Sequence, residues 1–318
     1  MSDDILYQIR QANPELTIEF NDDIFNETLI RLEDKCLAIN NQALVELGMP
    51  TPQRNAFNVL NYEITKEKSY NVNELLEYIA HNKPLLNDNQ KNVYNVIMNR
   101  INNNTGGIIY LDAPGGTGKT FLLNLLLAEI RATKHIALAL ASSGIASTLM
   151  EGGRTAHSAL QLPLNIAEQQ FPVCKISGKS GRGQLLKQAK IIIWDECTMS
   201  HKKSLEAMDR TLQELRKNSE IMGGALLILS GDFRQTLPVI PKSTPADEIN
   251  ACLKKSHLWP QVQILQLTKN MRVELSKDET TACFAKILLQ IGEGPTDQTS
   301  GLIELNSDFL FACLFEPW

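Results

Sequence analysis

Nine consecutive residues, Asp112-Ala113-Pro114-Gly115-Gly116-Thr117-Gly118-Lys119-Thr120, carry the clearest chemistry in this sequence. They follow an apolar run at 108–111 and lead into a second apolar run, of helical character, at 121–130. Strand, glycine-rich loop and helix in that order are the setting in which a chain binds phosphate. Glycines let successive backbone N–H groups turn inward, and the helix start adds the positive end of its dipole. Gly115, Gly116, Thr117 and Gly118 supply the loop. Lys119 is placed to reach β- and γ-phosphates, and the Thr120 hydroxyl to ligate Mg²⁺. One position departs from the pattern G-x-x-x-x-G-K-[ST]: Ala113 stands where the first glycine belongs.

A second group lies downstream. Ile191-Ile192-Ile193-Trp194-Asp195-Glu196 reads as a buried strand ending in two carboxylates. At a strand tip beside a phosphate loop, Asp195 can hold the Mg²⁺ shell while Glu196 orients and deprotonates an attacking water. The two groups together predict hydrolysis of a nucleoside triphosphate such as ATP. They do not say what that hydrolysis drives.

These side chains need a scaffold, and the chain supplies one. Apolar runs at 108–111, 136–141, 190–194, 225–229 and 262–267 alternate with helical stretches. One of these, 203–217, puts Leu205, Met208, Leu212 and Leu215 on one face. Strands without polar alternation, spaced by helices, predict a parallel sheet covered on both sides, an α/β fold. Asn87 opens a helix with Val93, Val96, Ile97 and Ile101 on one face. Residues 1–83 read as short helical segments, among them 25–47, broken at Pro14, Gly48, Pro50, Pro52 and Pro84.

Charge is uneven. Residues 1–83 carry 7 basic and 14 acidic side chains, and residues 84–318 carry 24 and 22. Between Gln169 and Lys190 stand Lys175, Lys179, Arg182, Lys187 and Lys190 with no acid, a stretch that can meet a phosphate backbone or simply face water as a Gly/Ser-rich loop. The six cysteines are scattered without a C-x-x-C pair, which predicts reduced thiols in an intracellular compartment and no zinc site. No apolar run approaches the roughly 18–20 residues of a membrane span, so no membrane role is expected.

At this point the residues resemble a known group. Leu229-Ser230-Gly231-Asp232-Phe233-Arg234-Gln235-Thr236-Leu237-Pro238-Val239 is similar to motif III of superfamily-one, B-type DNA helicases, and more closely to the Pif-type 5′-to-3′ helicases and their Helitron-transposon relatives. The resemblance implies that Gln235 senses the γ-phosphate. Leu86-Asn87-Asp88-Asn89-Gln90 is similar to the adenine-reading segment, where Gln90 would pair with the base. Ala141-Ser142-Ser143-Gly144-Ile145-Ala146 resembles motif Ia, so Ser142, Ser143 and Gly144 would hold phosphates of single-stranded DNA. Gly152-Gly153-Arg154-Thr155-Ala156-His157-Ser158 resembles the next DNA-contacting motif, through Thr155 and His157. Leu267-Thr268-Lys269-Asn270-Met271-Arg272 resembles motif IV, where Arg272 would stabilise charge on the γ-phosphate.

The resemblance implies a RecA-like P-loop lobe over residues 84–292, after a helical extension at 1–83 and before an atypical tail at 293–318. Cys197 stands where the family commonly has Ala. Only 46 residues follow Arg272, so motifs V and VI of a second lobe are missing, and the chain is expected to be a fragment carrying the first motor lobe. The activity implied for the family is ATP-dependent, Mg²⁺-requiring DNA unwinding on single-stranded or tailed duplex DNA partners, in DNA repair, recombination or telomere maintenance; this chain alone is expected to hydrolyse ATP very slowly and to be deficient in unwinding. Nuclear residence is expected, with mitochondrial residence the alternative. The competing expectation is a non-catalytic ATP- and DNA-binding remnant of a mobile-element helicase.

Overall fold

A computed structural model describes residues 22–40, 42–52, 63–240 and 243–276, together with 285, 287–289 and 291–292. The tail at 293–318, Pro14, Cys283 and Cys313 lie outside the described residues. The chain divides into two compact units, Met1–Asn71 with Ile176–Gln188, and Val72–Lys175 with Ala189–Trp318.

In the first unit, helix α1 (Asp22–Asn40) precedes a separate 3-10 turn, Leu44–Leu47. The helical segment expected over 25–47 is therefore not continuous. Leu44 is wholly buried while Leu47 is exposed, and Gly48 closes the turn in a left-handed conformation at φ +73°, the C-terminal stop that glycine accepts without strain.

The second unit holds a six-stranded sheet. It begins with helices α2 (Val72–Asn82) and α3 (Asp88–Asn102). A reciprocal capping box starts α3: the Asn87 side chain accepts from the Gln90 N–H at 2.8 Å, and the Gln90 side chain accepts from the Asn87 N–H at 3.1 Å. Two otherwise orphaned donors are satisfied at once. Val93, Ile97 and Ile101 are buried as expected, Val96 is only half-buried, and Tyr94, outside the apolar spacing, is buried with them.

The strands are β1 (Gly107–Asp112), β2 (Ile136–Ala141), β3 (Arg154–Thr155), β4 (Ala189–Asp195), β5 (Leu226–Gly231) and β6 (Val262–Gln266). All pairings are parallel, in the order β3-β2-β4-β5-β1-β6. Every residue of β5 is buried, as a central strand covered on both faces requires. Helix α4 (Lys119–Ala132) contributes Leu122, Leu123, Leu125 and Leu126 to the core, all fully buried. Each such leucine stabilises by about 1.5–3 kcal/mol. The remaining helices are α5 (Gly144–Thr148), α6 (Ala156–Leu160), α7 (Gly181–Gln188, in the first unit), α8 (Lys202–Arg216), α9 (Pro245–Ala251) and α10 (Met271–Ser276). The apolar face of α8 is buried at Leu205, Met208, Leu212 and Leu215, as its spacing predicts.

Register aligns the carboxyl ends of the strands. Asp112 pairs with Gly231 and Gln266, and Ala141 with Asp195 and Thr155. Open α/β sheets bind ligands beyond these ends. The strand order holds one surprise: β5 lies between β1 and β4, so the acid-bearing strand is not the neighbour of the phosphate-loop strand.

Candidate functional site

The loop after β1 is glycine-rich by necessity. Gly116 and Gly118 have φ of +83° and +77°, a region that costs other residues about 1–2 kcal/mol. Space forbids a side chain as well. A Cβ on Gly118 would lie 2.4 Å from Gln90 Nε2, and one on Gly116 2.6 Å from Asn270 Oδ1 and 3.3 Å from Arg272 Cβ. Ala113 has no positive φ; it is buried, and its N–H donates to Gly231 O at 3.3 Å. A glycine is not needed there. Thr117 is buried and donates its hydroxyl to Pro114 O at 2.8 Å. Thr120, half-buried, is the second residue of α4.

The lysine and the acids meet across the intervening strand. Lys119 Nζ lies 2.5 Å from Glu196 Oε1 and 3.1 Å from Asp195 Oδ1. Burial alone lowers the Lys119 pKa, but Asp195 and Glu196 outweigh it, so the ammonium is held more firmly than an ordinary lysine. Asp195 Oδ1 also accepts from the Ser230 hydroxyl at 3.0 Å and from the Glu196 N–H at 2.9 Å. All three of these contacts use Oδ1. Glu196 adopts a left-handed conformation, φ +49° and ψ +37°, and a 3-10 turn, Cys197–Met199, follows. Cys197 is wholly buried, and burial pushes its thiol well above the ordinary range. A small inert side chain fits that position.

Three further residues close on the loop. Gln90 is buried; its Nε2 donates to Thr117 O at 3.0 Å while its oxygen serves the capping box. Gln235 Nε2 donates to Asp232 Oδ2 at 3.1 Å and would lie 3.5 Å from a Cβ on Gly115. The backbone N–H groups of Met271 and Arg272 donate to Gly116 O at 2.8 and 3.2 Å, while the Arg272 side chain is exposed.

Sequence reading missed the polar frame behind these groups. Arg234 Nε donates to Asp232 Oδ1 at 2.7 Å, and Arg234 Nη2 to Asp112 Oδ1 at 3.2 Å, tying the tips of β5 and β1 together. Burial raises the Asp232 pKa, but the bonds from Arg234 outweigh it and leave the carboxyl below its usual range. Asn270 was also missed: its Oδ1 accepts from Arg272 N at 3.0 Å. A polar residue with cap chemistry just before the expected arginine was the available signal.

The five residues expected to meet DNA lie at the ends of adjacent strands, β2 and β3. The Ser143 and Thr155 hydroxyls are engaged locally, and that of Ser142 reaches residues distant in sequence. Ser143 caps α5, accepting from Ala146 N at 3.1 Å, and Thr155 caps α6, accepting from Ser158 N at 3.4 Å. Ser142 Oγ accepts from Trp194 Nε1 at 3.0 Å and lies 2.8 Å from Ser200 Oγ. Gly144 and His157 are exposed.

Among the described residues no cluster of three His, Cys, Asp or Glu side chains can hold a metal. A hydroxyl and a carboxylate, Thr120 and Asp195, nonetheless fit Mg²⁺, which binds through one or two protein groups plus phosphates and water. Nor is any described helix long and apolar enough to cross a membrane.

The PIF1-like helicase family model matches residues 85–301. The chain is 28% identical over 175 residues to the ATP-dependent DNA helicase Pif1 of Psychrobacter sp. (strain PRwf-1), covering 55% of this chain and 26% of that protein. It is 25% identical over 248 residues to the ATP-dependent DNA helicase RRM3 of Saccharomyces cerevisiae, covering 76% and 32%. The chain thus spans about a quarter to a third of the length of these curated relatives. In fold it is similar to the crystal structure of the Pif1 helicase from Candida albicans, with a TM-score of 0.50 at 20% identity, over 67% of this chain and 45% of that one. The family match covers more than half of the sequence and contains every residue gathered around the phosphate loop, from Gln90 to Arg272: the chain belongs to the PIF1-like helicase family.

Proposed function

We propose that this chain forms the ATP-binding motor lobe of a DNA helicase that moves 5′-to-3′. The observation that carries the reading is convergence. Gln90, the loop glycines, Lys119, Asp195, Glu196 and Gln235, with the Arg272 backbone, come from five separate stretches of sequence and meet at the carboxyl edge of one parallel sheet.

Lys119 and the loop N–H groups would hold the triphosphate, and Thr120 and Asp195 would hold Mg²⁺. The cation, when bound, supplies charge neutralisation on the phosphate oxygens. Phosphate competes with Glu196 for the Lys119 ammonium, so nucleotide binding would release the Glu196 carboxylate. Glu196 would then take the proton of a water as its oxygen bonds to the γ-phosphorus and the bond to ADP breaks. Gln235, held by Asp232, would read the γ-phosphate, and Arg272 would swing its exposed guanidinium onto the developing charge. Gln90 would hold the loop in shape, with the adenine reading resting on the family resemblance.

Ser142, Ser143, Gly144, Thr155 and His157 would form the rim that meets single-stranded DNA. The domain division we propose is an extension at 1–83, the lobe at 84–292 and a tail at 293–318. The family resemblance supports work in DNA repair, recombination or telomere maintenance. It also supports nuclear residence, and the free thiols of Cys36, Cys174, Cys197 and Cys252 agree with an intracellular setting.

The test has two parts. Calorimetry should show ATP·Mg²⁺ binding that Lys119→Ala weakens by on the order of 100-fold, and Glu196→Gln should bind nucleotide but not turn it over. A strand-displacement assay on 5′- and 3′-tailed duplexes, with the chain joined to the second motor lobe of a PIF1-like helicase, should show unwinding of the 5′-tailed substrate only. Equal unwinding of both would overturn the polarity.

A further inference from the structure

One residue on the DNA-facing rim is bonded to both sides of the acidic pair. Ser142 N donates to Asp195 O at 3.1 Å, which extends the β2–β4 ladder one step past its end. Its hydroxyl accepts from Trp194 Nε1 at 3.0 Å and lies 2.8 Å from Ser200 Oγ. Trp194 immediately precedes Asp195. Ser200 ends the 3-10 turn that Glu196 opens, with its N–H on Cys197 O at 2.9 Å. Ser142 therefore brackets Asp195 and Glu196, from the strand before them and the turn after them.

The hydrogen count makes this bracket directional. A serine hydroxyl has one hydrogen and two lone pairs, and an indole N–H only donates. Trp194 is buried, so its donor takes one lone pair of Ser142. The remaining bond can run either way. If Ser142 donates to Ser200, its hydrogen is spent. If Ser200 donates, the Ser142 hydrogen is free to point outward, and a phosphate, which only accepts, selects that arrangement. Such a chain of donors strengthens each member in turn.

We propose that Trp194, Ser142 and Ser200 form a coupling relay through which single-stranded DNA and nucleotide change each other's affinity. The inference rests on the helicase reading above and adds a positioning role for Trp194 and Ser200, neither of which touches nucleotide or DNA in that reading. DNA phosphate selects the direction of the Ser200–Ser142 bond, and nucleotide acts on the same bond through the turn that Glu196 opens and Ser200 ends, once phosphate takes Lys119 from Glu196. Linkage then makes the effect reciprocal, with typical factors of about 5–150.

The experiment measures the affinity of the 318-residue chain for fluorescent oligo-dT, with and without ADP–aluminium fluoride·Mg²⁺, and nucleotide affinity with and without oligo-dT. Wild type should show the same factor, about fivefold or more, in both directions. Ser200→Ala, a small change unlike the loss of a core indole, should keep nucleotide affinity in the absence of DNA and bring the factor below about twofold. Ser200→Thr, which keeps the hydroxyl, should restore it, and Trp194→Phe, if it melts cooperatively, should behave as Ser200→Ala. A wild-type factor retained in Ser200→Ala overturns the relay. So does a factor of one in wild type when both ligands bind, which leaves the helicase reading intact. Failure to bind either ligand removes the helicase reading itself, and the relay falls with it.

Discussion

The phosphate loop and the rim made by Ser142–Gly144 and Thr155–His157 sit on the same edge of one sheet, yet they use their polar atoms differently. Around the loop, charged and amide side chains bond to partners distant in sequence: Lys119 to Glu196, Arg234 to Asp112, and Gln90 to the Thr117 carbonyl. On the rim, Ser143 and Thr155 bond to backbone N–H groups three residues on. The loop is crowded, so that a Cβ on Gly118 meets Gln90 at 2.4 Å, while one on Gly144 meets nothing within 4 Å. A site assembled from long-range ion pairs is set before its ligand arrives. A rim of locally capped short helices leaves the ligand to find exposed groups such as His157.

The sharpest way to break this contrast is charge removal. Lys119→Ala should weaken ATP·Mg²⁺ binding by on the order of 100-fold, the scale of charge-assisted hydrogen bonds lost in a buried site. His157→Ala on the rim should weaken oligo-dT binding only a few-fold by anisotropy, roughly one phosphate contact's share. Equal losses would erase the distinction.

A paired glycine test comes next. Gly118→Ala combines a left-handed backbone with a clash against Gln90 and should lower unfolding free energy by at least about 2 kcal/mol. Gly144→Ala, in open space without positive φ, should stay within about 0.5 kcal/mol. Denaturant melts of both variants measure the difference directly.

Removing the rim's own caps is smaller still. Thr155→Ala should lose about 1 kcal/mol, local to α6, because an N-cap oxygen is replaced by a methyl group. Faster amide exchange confined to residues 156–160 would mark it, and exchange spread through the sheet would show that the rim is not built locally.

The last difference is in acid. Arg234 holds the Asp232 carboxyl below its ordinary value of 3.8. A depressed folded pKa gives stability that is fully present above the unfolded pKa and lost as pH falls through the folded one. Acid melts should therefore show a loss below about pH 4 that Asp232→Asn removes. Thr155→Ala should leave that acid limb unchanged.

Local sequence determined a good part of this protein. The glycine-rich segment between an apolar strand and an apolar helix, the Asn87 start of α3 and the apolar face of α8 all depend on conformation and spacing within one stretch of chain. That is why they were legible. Even the Ala113 departure proves harmless for a local reason, since the backbone there has no positive φ. Strand order was not legible. Nothing near β5 says that it inserts between β1 and β4, yet that insertion places Ser230 on Asp195 and Arg234 on Asp112. Side-chain partners were hidden for the same reason. Gln90 looks like a surface glutamine until Thr117, distant in the chain, arrives at its amide, and Ser142 looks like a free hydroxyl until Trp194 and Ser200 claim it. Short-range sterics choose the backbone and so can be read from neighbours. Hydrogen-bond partners are chosen by whichever distant strands the packed core brings within 3 Å, a reach that only tertiary structure sets.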